Sequence, residues 1–315
     1  MSAETWARVS NDAFTVAFFA YLVAMLASFH YLAFRKRSMW VVAIALTLVG
    51  LTAQLLSIVA RGLAAGRFPL GNMYEYSVVL SFLVVLAYVV FVEGLGKVRT
   101  VGGFALAFSV LTMAVAVLFL YVGPQPLVPA LNSYWRQIHV GSMILSSSLL
   151  ALGCVVTILY LAKERRERRA AEALTPIMGG AVDLDDAPPH FEAWADEPAE
   201  PVASPRRGLL PAAVVLDRLA YRLIAFGFPI WTFGIITGAI WAESAWSRYW
   251  GWDPKETWSF ITWVIFAGYL HARATSGWKG RRAAVIALVG FGSLLITYYA
   301  VNLWIVGLHS YAGVG

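Results

Sequence analysis

WAESAWSRYWGWDPKETWSFITWVIFAGYLHAR, residues 241–273, carries five of the chain's 13 tryptophans between Trp241 and Trp258, with Tyr249 among them. Within it, Asp253-Pro254-Lys255-Glu256 has the form of a helix start. An acid sits at the N-cap, proline takes the first helical position where no N–H is needed, and a glutamate stands where it can close a capping box. The residues after Thr257 are mostly apolar and run to His271 and Arg273. A helix that begins in a wet aromatic loop and then enters a nonpolar medium is the expected structure. The aromatic cluster would offer a flat, greasy ligand a shelf to rest on.

The rest of the chain agrees with a nonpolar medium. Of 315 residues, 60% are apolar and 13% charged, against about 25% charged in a soluble domain. Crossing about 30 Å of hydrocarbon takes roughly 20 apolar residues. Eight such windows occur, at about 13–34, 39–60, 74–92, 101–121, 138–161, 219–241, 257–274 and 283–306. The expected fold class is an all-α polytopic membrane protein with about eight transmembrane helices. With both termini on the outer face, 18 basic residues fall inside and 6 outside, the bias that sets membrane topology. The net charge of +6 therefore reports loop orientation, and no nucleic-acid partner is expected.

Residues 163–211 depart from this pattern. They hold seven of the 13 prolines, eight acidic residues between Glu172 and Glu200, and few large apolar side chains. Such a composition cannot bury enough surface to offset chain entropy, so a disordered cytoplasmic linker is expected there. It divides a five-helix part, 1–162, from a three-helix part, 212–315, which carries the Trp-rich loop. The piece LPAAVVLDRLAYRL after the linker has the make-up of a segment lying on the inner leaflet. The single cysteine, Cys154, excludes an internal disulfide, a CxxC pair and a haem-attaching CxxCH motif. The chain is neither a disulfide shuttle nor itself a c-type cytochrome. MSAETWARVSNDA at its start lacks a basic n-region, and no cleaved signal peptide is expected.

Topology sorts the five histidines. His139, in SYWRQIHV, opens the fifth helix at the outer face. His309 follows the eighth helix at the same face, and the loop 242–256 joins helices six and seven there. Two imidazoles and an aromatic shelf are thus brought to one side, and neutral imidazole is a good iron ligand. His271 lies 14 residues past Thr257, about 21 Å along a helix, near the inner leaflet. An ionisable group at that depth is a functional candidate by default. His30 sits near the inner end of its helix, and His190 falls in the linker. Tryptophan also collects in belts at membrane interfaces, but a belt spreads over all helix ends and does not concentrate in 18 residues. Asp253, Glu256 and Glu75 of Asn72-Met73-Tyr74-Glu75 are accounted for as helix caps and are poor candidates for acid–base catalysis.

The Trp motif, together with GWKGRR, VNLWIVGLHSYAG, FPLGNMYEY and SYWRQIHV, resembles the Trp-Trp-Asp domain of the haem-handling proteins. Among these it is most similar to the system II cytochrome c biogenesis family, CcsA/ResC. The shared motifs run from about residue 60 to 315. The resemblance implies a haem-binding subunit that delivers haem b and attaches it to the CxxCH motif of apocytochrome c. It implies His139 and His309 as axial ligands of an outer haem. Trp241, Trp246, Trp250, Trp252 and Asp253 would shape its platform. His271 would ligate a haem within the membrane, with the second ligand from a ResB-like partner subunit; His30 is a rival for that place. Holocytochrome c synthase activity would belong to the complex, in a bacterial plasma membrane. Arg248, where the family often has a small residue, has the charge to pair with a haem propionate. A haem exporter without synthase activity and a b-type electron-transfer subunit are the alternatives.

Overall fold

The structure is a computed structural model that describes residues 1–125, 133–178, 209–305 and 307–308. His190 and His309 lie outside the described residues. The described chain is all-helical, with eight long helices in sequence: α1 (Ala3–Phe34), α2 (Arg37–Ala65), α3 (Met73–Ala87), α4 (Gly102–Phe119), α5 (Tyr134–Met178), α6 (Ala213–Trp246), α7 (Pro254–Ala274) and α8 (Arg281–Leu295). Two of them lengthen through wider, π-helical turns. α3 continues over Tyr88–Leu95, and α8 over Ile296–Ala300 into Val301–Leu303. Seven of the eight are long and apolar enough to cross a membrane. α7 is long enough, at about 1.5 Å per residue, but much of its bulk is Trp, Tyr, Thr, Ser and Gly rather than aliphatic residues. The expected window at 257–274 is therefore a helix that buries only Ser259, Thr262, Phe266 and Tyr269 against its neighbours.

Local chemistry sets the helix ends. Ser2 caps α1 through its side chain, which accepts from Thr5 N at 3.2 Å, and Asn72 caps α3 by accepting from Glu75 N at 2.9 Å. α2 stops at Gly66, whose φ of 63° is a left-handed conformation that glycine adopts without penalty. α1 and α2 form a tight hairpin: a side chain at Gly50 would land on the Tyr21 ring. Tyr21 Oη donates to Gln54 Oε1 at 2.8 Å, and Gln54 Nε2 donates to Val78 O and Ser81 Oγ at 3.0 and 2.6 Å. The fully buried Gln54 thus ties α2 to α3 with its amide group satisfied at both ends.

α5 is the central helix. Its apolar window is 78% buried, against 28–50% in the six other apolar helices. Leu149, Leu152 and Val156 of α5 meet Leu216, Ala220 and Leu223 of α6 in one core with Tyr88 and Ala105. The parts on either side of the linker therefore share a core. At the end of α7, Arg273 makes a bidentate pair with Asp217 of α6 at 2.8 and 2.9 Å and lies 4.6 Å over the Tyr221 ring.

Two expected boundaries move. The linker does not begin at 163, because α5 runs on to Met178. KERRERR has helix-forming side chains spaced for i,i+4 pairing, and Lys163–Glu167 at 3.4 Å, Arg168–Glu164 at 4.0 Å and Arg168–Glu172 at 3.9 Å form along it. LPAAVVLDRLAYRL is not a separate surface helix either. From Ala213 it is continuous with α6, held at its start where Ala213 N donates to Glu167 Oε1 at 3.3 Å.

Candidate functional site: a histidine and tryptophan cavity

One end of the bundle opens into a cavity of about 1220 Å³, counted to its open mouth. Its walls come from the turn before α3, the first turns of α5, the end of α6, the 247–253 loop, the start of α7 and the last turns of α8. SYWRQIHV, FPLGNMYEY, the Trp motif and VNLW, far apart in sequence, meet around this one space.

His139 lies on the wall that α5 presents to α6. Its Nδ1 is 2.7 Å from the carbonyl oxygen of Gly234. A carbonyl only accepts, so Nδ1 carries the proton, and in the neutral ring Nε2 is then the basic nitrogen, the tautomer fit for a metal. The ring stacks on Trp241 at 6.0 Å and 22°, and Trp241 packs on Trp246 at 5.0 Å. Gly238 makes this approach possible, since a Cβ there would fall 2.6 Å from His139 Nδ1, and Gly234 makes room for Met143 in the same way.

The expected aromatic shelf divides in two. Trp241, Trp246 and Trp250 line the cavity with Tyr249. Trp252 faces away, 65% exposed, edge-on to Trp250 at 5.6 Å and Phe260 at 6.3 Å. It has a left-handed φ of 57°, which costs a bulky residue about 1–2 kcal/mol. Asp253 also lies off the cavity wall, and the structure gives it a fastening role. Its Oδ1 accepts from Lys255 N at 3.0 Å, and Glu256 Oε2 accepts from Asp253 N at 3.2 Å and Gly251 N at 2.8 Å, the expected capping box. Its Oδ2 accepts from Leu308 N at 2.7 Å. One buried carboxylate thus holds the start of α7 and the backbone just before His309. Asp253→Ala is expected to cost about 1–2 kcal/mol as a lost cap and to free residues 307–308. Limited proteolysis should then cut the C-terminus several-fold faster, with Asp253→Asn intermediate.

His271 is apart from all of this. It lies 17 residues after Pro254, about 26 Å down α7, and its side chain is exposed on the outside of the bundle. His30 is half-buried and packs on Phe34 at 4.6 Å.

Sequence reasoning passed over the cavity's floor and its charges. Tyr76 and Tyr298 stack at 4.5 Å and 27°. Tyr76 Oη is 3.0 Å from Ser147 Oγ, and Tyr298 Oη donates to Met73 O at 2.9 Å. The π-helical turn at Ile296–Ala300 changes the spacing along the end of α8, where Tyr298 and Asn302 both reach the cavity; such turns recur at functional sites. Arg136, 4% exposed, lines the wall one turn before His139 and donates from Nη1 to Leu70 O at 2.8 Å. Lys255 lines the wall opposite in chain order, its Nζ donating to Asn302 Oδ1 at 2.8 Å. FPLGNMYEY and VNLW were the sequence signals for Tyr76 and Asn302, and Tyr298 lies just ahead of VNLW. Arg136 lies in SYWRQIHV and Lys255 in the Trp motif, but nothing in either motif shows that these side chains reach the cavity.

A multi-pass helical protein with an imidazole set in an aromatic, cation-bearing cavity falls in the cytochrome c assembly class: the family model described as cytochrome C assembly protein matches residues 70–309. The protein CcsA of Porphyra purpurea is 38% identical over 314 residues, with 96% of this chain and 97% of that one covered. CcsA of Gloeobacter violaceus is 40% identical over 279 residues, with 80% of each covered. The chain belongs to the CcsA family of cytochrome c biogenesis proteins. Among solved structures, the cytochrome c haem lyase CcmF superposes with a TM-score of 0.65 at 14% identity, covering 95% of this chain and 47% of that one. At that identity the likeness is one of fold.

Proposed function

We propose that the cavity receives haem b as substrate, with His139 as one axial ligand and His309 as the other, and presents it to the CxxCH motif of apocytochrome c. The observation that carries this reading is the 2.7 Å contact between His139 Nδ1 and the Gly234 carbonyl oxygen. A proton fixed on Nδ1 by the Gly234 carbonyl leaves Nε2 as the basic nitrogen on an aromatic wall. Support for His309 comes from Leu308, the residue before it, which Asp253 holds beside the cavity-lining Lys255 and Glu256. The 18-to-6 bias of basic residues supports eight crossings, with the cavity and both termini on the outer face and KERRERR inside a bacterial plasma membrane.

Attachment adds each substrate thiol across a vinyl group. Sulfur bonds to the carbon next to the ring and hydrogen to the outer carbon, so nothing leaves and no electrons are consumed. The chain's own residues contribute position. Trp241, Trp246 and Trp250 provide a nonpolar wall, His139 fixes the iron, and the thiols approach through the open mouth. Any synthase activity would then belong to the complex, with no nucleophile from this chain. The exposed His271 serves a second haem at the inner end, its other ligand coming from a ResB-like partner subunit that covers that face.

The test is haem content of the complex co-expressed with its partner, from pyridine haemochrome spectra and holocytochrome c yield. His139→Ala, His309→Ala and His271→Ala should each lower both, and added imidazole should restore part. Wild-type protein without haem, or three variants that match wild type, would overturn the reading.

A further inference from the structure

Lys255 is the cation that the capping role of its neighbours leaves unused. Asp253 is committed to Leu308 N and to the helix start, and Glu256 Oε2 to two backbone amides. The Lys255 ammonium is turned to the cavity instead, half-buried, with the neutral amide oxygen of Asn302 as its partner at 2.8 Å. Among the described residues no carboxylate lies within 4.0 Å of its Nζ. The Asp253 carboxylate attracts this ammonium from beyond ion-pair distance, but burial outweighs that attraction, so part of the desolvation cost is left for an incoming anion to recover. Asn302 fixes the ammonium's direction, since its own Nδ2 donates to Tyr298 O. The lining as a whole bears Arg136 and Lys255 against Glu256, a net positive wall.

We propose that Lys255 is a carboxylate-binding positioning residue: it takes a propionate of the haem, with the Arg136 side of the cavity as the second positive wall. This rests on the haem reading above and extends it from the iron to the porphyrin edge. A charge-assisted bond at that edge fixes the rotation of the macrocycle about the His139–iron axis, which the imidazole alone leaves open. The vinyl groups lie on the edge opposite the propionates, so they are directed away from Lys255. Arg248, the other cation considered for a propionate, lies against Gly251 in the loop and is not part of the cavity lining.

The experiment titrates the detergent-purified full chain, with its partner, using haem and haem dimethyl ester, which has the same iron and ring but no free carboxylates. Wild type should bind haem about ten-fold more tightly than the ester, the size of one charge-assisted bond. Lys255→Gln should bring the two affinities together, and Lys255→Arg should keep part of the difference. His139→Ala should weaken both alike and leave their ratio as in wild type. Size-exclusion profiles of the variants report folding separately. Equal affinities in wild type, or an unchanged ratio in Lys255→Gln, overturn the assignment while haem binding itself stands. Failure of both compounds to bind wild type overturns the haem reading and this inference together.

Discussion

Glu75→Ala should lower the melting temperature of the detergent-solubilised protein by about 10 °C, the largest single effect on stability in this chain. The Glu75 side chain is 0% exposed and lies between two guanidinium groups. Its Oε1 accepts from Arg61 Nε and from Arg67 Nη2, both at 3.1 Å, and its Oε2 from Arg67 Nη1 at 2.8 Å and Gly71 N at 2.7 Å. Arg61 donates onward to Val122 O, Arg67 to Gln125 O at 2.9 Å, and Arg61 lies 4.9 Å over the Tyr74 ring. Removing the carboxylate leaves the buried Arg61 and the partly buried Arg67 as two like charges without their shared partner. Breaking a buried pair in this way costs about 3–5 kcal/mol, a large share of the roughly 5–15 kcal/mol that holds a protein folded. The turn that the triad fixes supplies Leu70, Gly71 and Asn72 to the cavity wall, so haem content should fall with stability. Glu75→Gln keeps the acceptor oxygen and loses the charge, and should be intermediate. Melting followed by size exclusion checks both. A melting temperature within 2 °C of wild type would show the triad to be energetically idle.

Gly238→Ala should separate function from stability. Alanine raises helix propensity by about 1 kcal/mol over glycine, so the fold gains locally. The added Cβ, however, lies 2.6 Å from Nδ1 and 2.7 Å from Cε1 of His139, closer than carbon tolerates. The ring must swing off Gly238, and the 2.7 Å bond to Gly234 O goes with it. Loss of the bond that orients a ligating histidine lowers metal affinity about 10–100-fold. Haem content of the purified complex should drop accordingly, with the melting temperature unchanged or higher. Wild-type haem content and an unshifted Soret band would show that the placement of His139 against α6 does not matter.

The two predictions differ in how far the sequence could have carried them. Asn72-Met73-Tyr74-Glu75 reads as a helix cap, and Asn72 is one. Glu75 is not the other half of a capping box: it reaches back past Asn72 to Gly71 N and out to two arginines. Local spacing cannot show that partner set, because Arg61 and Arg67 approach from another helix and its following turn. Asp253 and Glu256 form the capping box that their spacing announces, since every atom involved lies within one helical turn. Yet the bond from Leu308 to Asp253, 55 positions away, is invisible at that range.

By itself the sequence determined the medium, the eight helices, the end of the bundle at which the Trp motif and His139 meet, and the family. Each of these depends on composition, on apolar runs or on contiguous motifs, quantities that survive without knowing what touches what. Only the tertiary structure decided which tryptophans face the cavity, which nitrogen of His139 is basic, and that Tyr76, Tyr298, Arg136 and Lys255 complete the walls. It also extended α5 through KERRERR, where ion pairs along one helix outweigh a linker-like composition downstream. A side chain's role there is set by helix rotation and by glycine-permitted close approach between α5 and α6. Neither has a signature in the order of residues along a single chain.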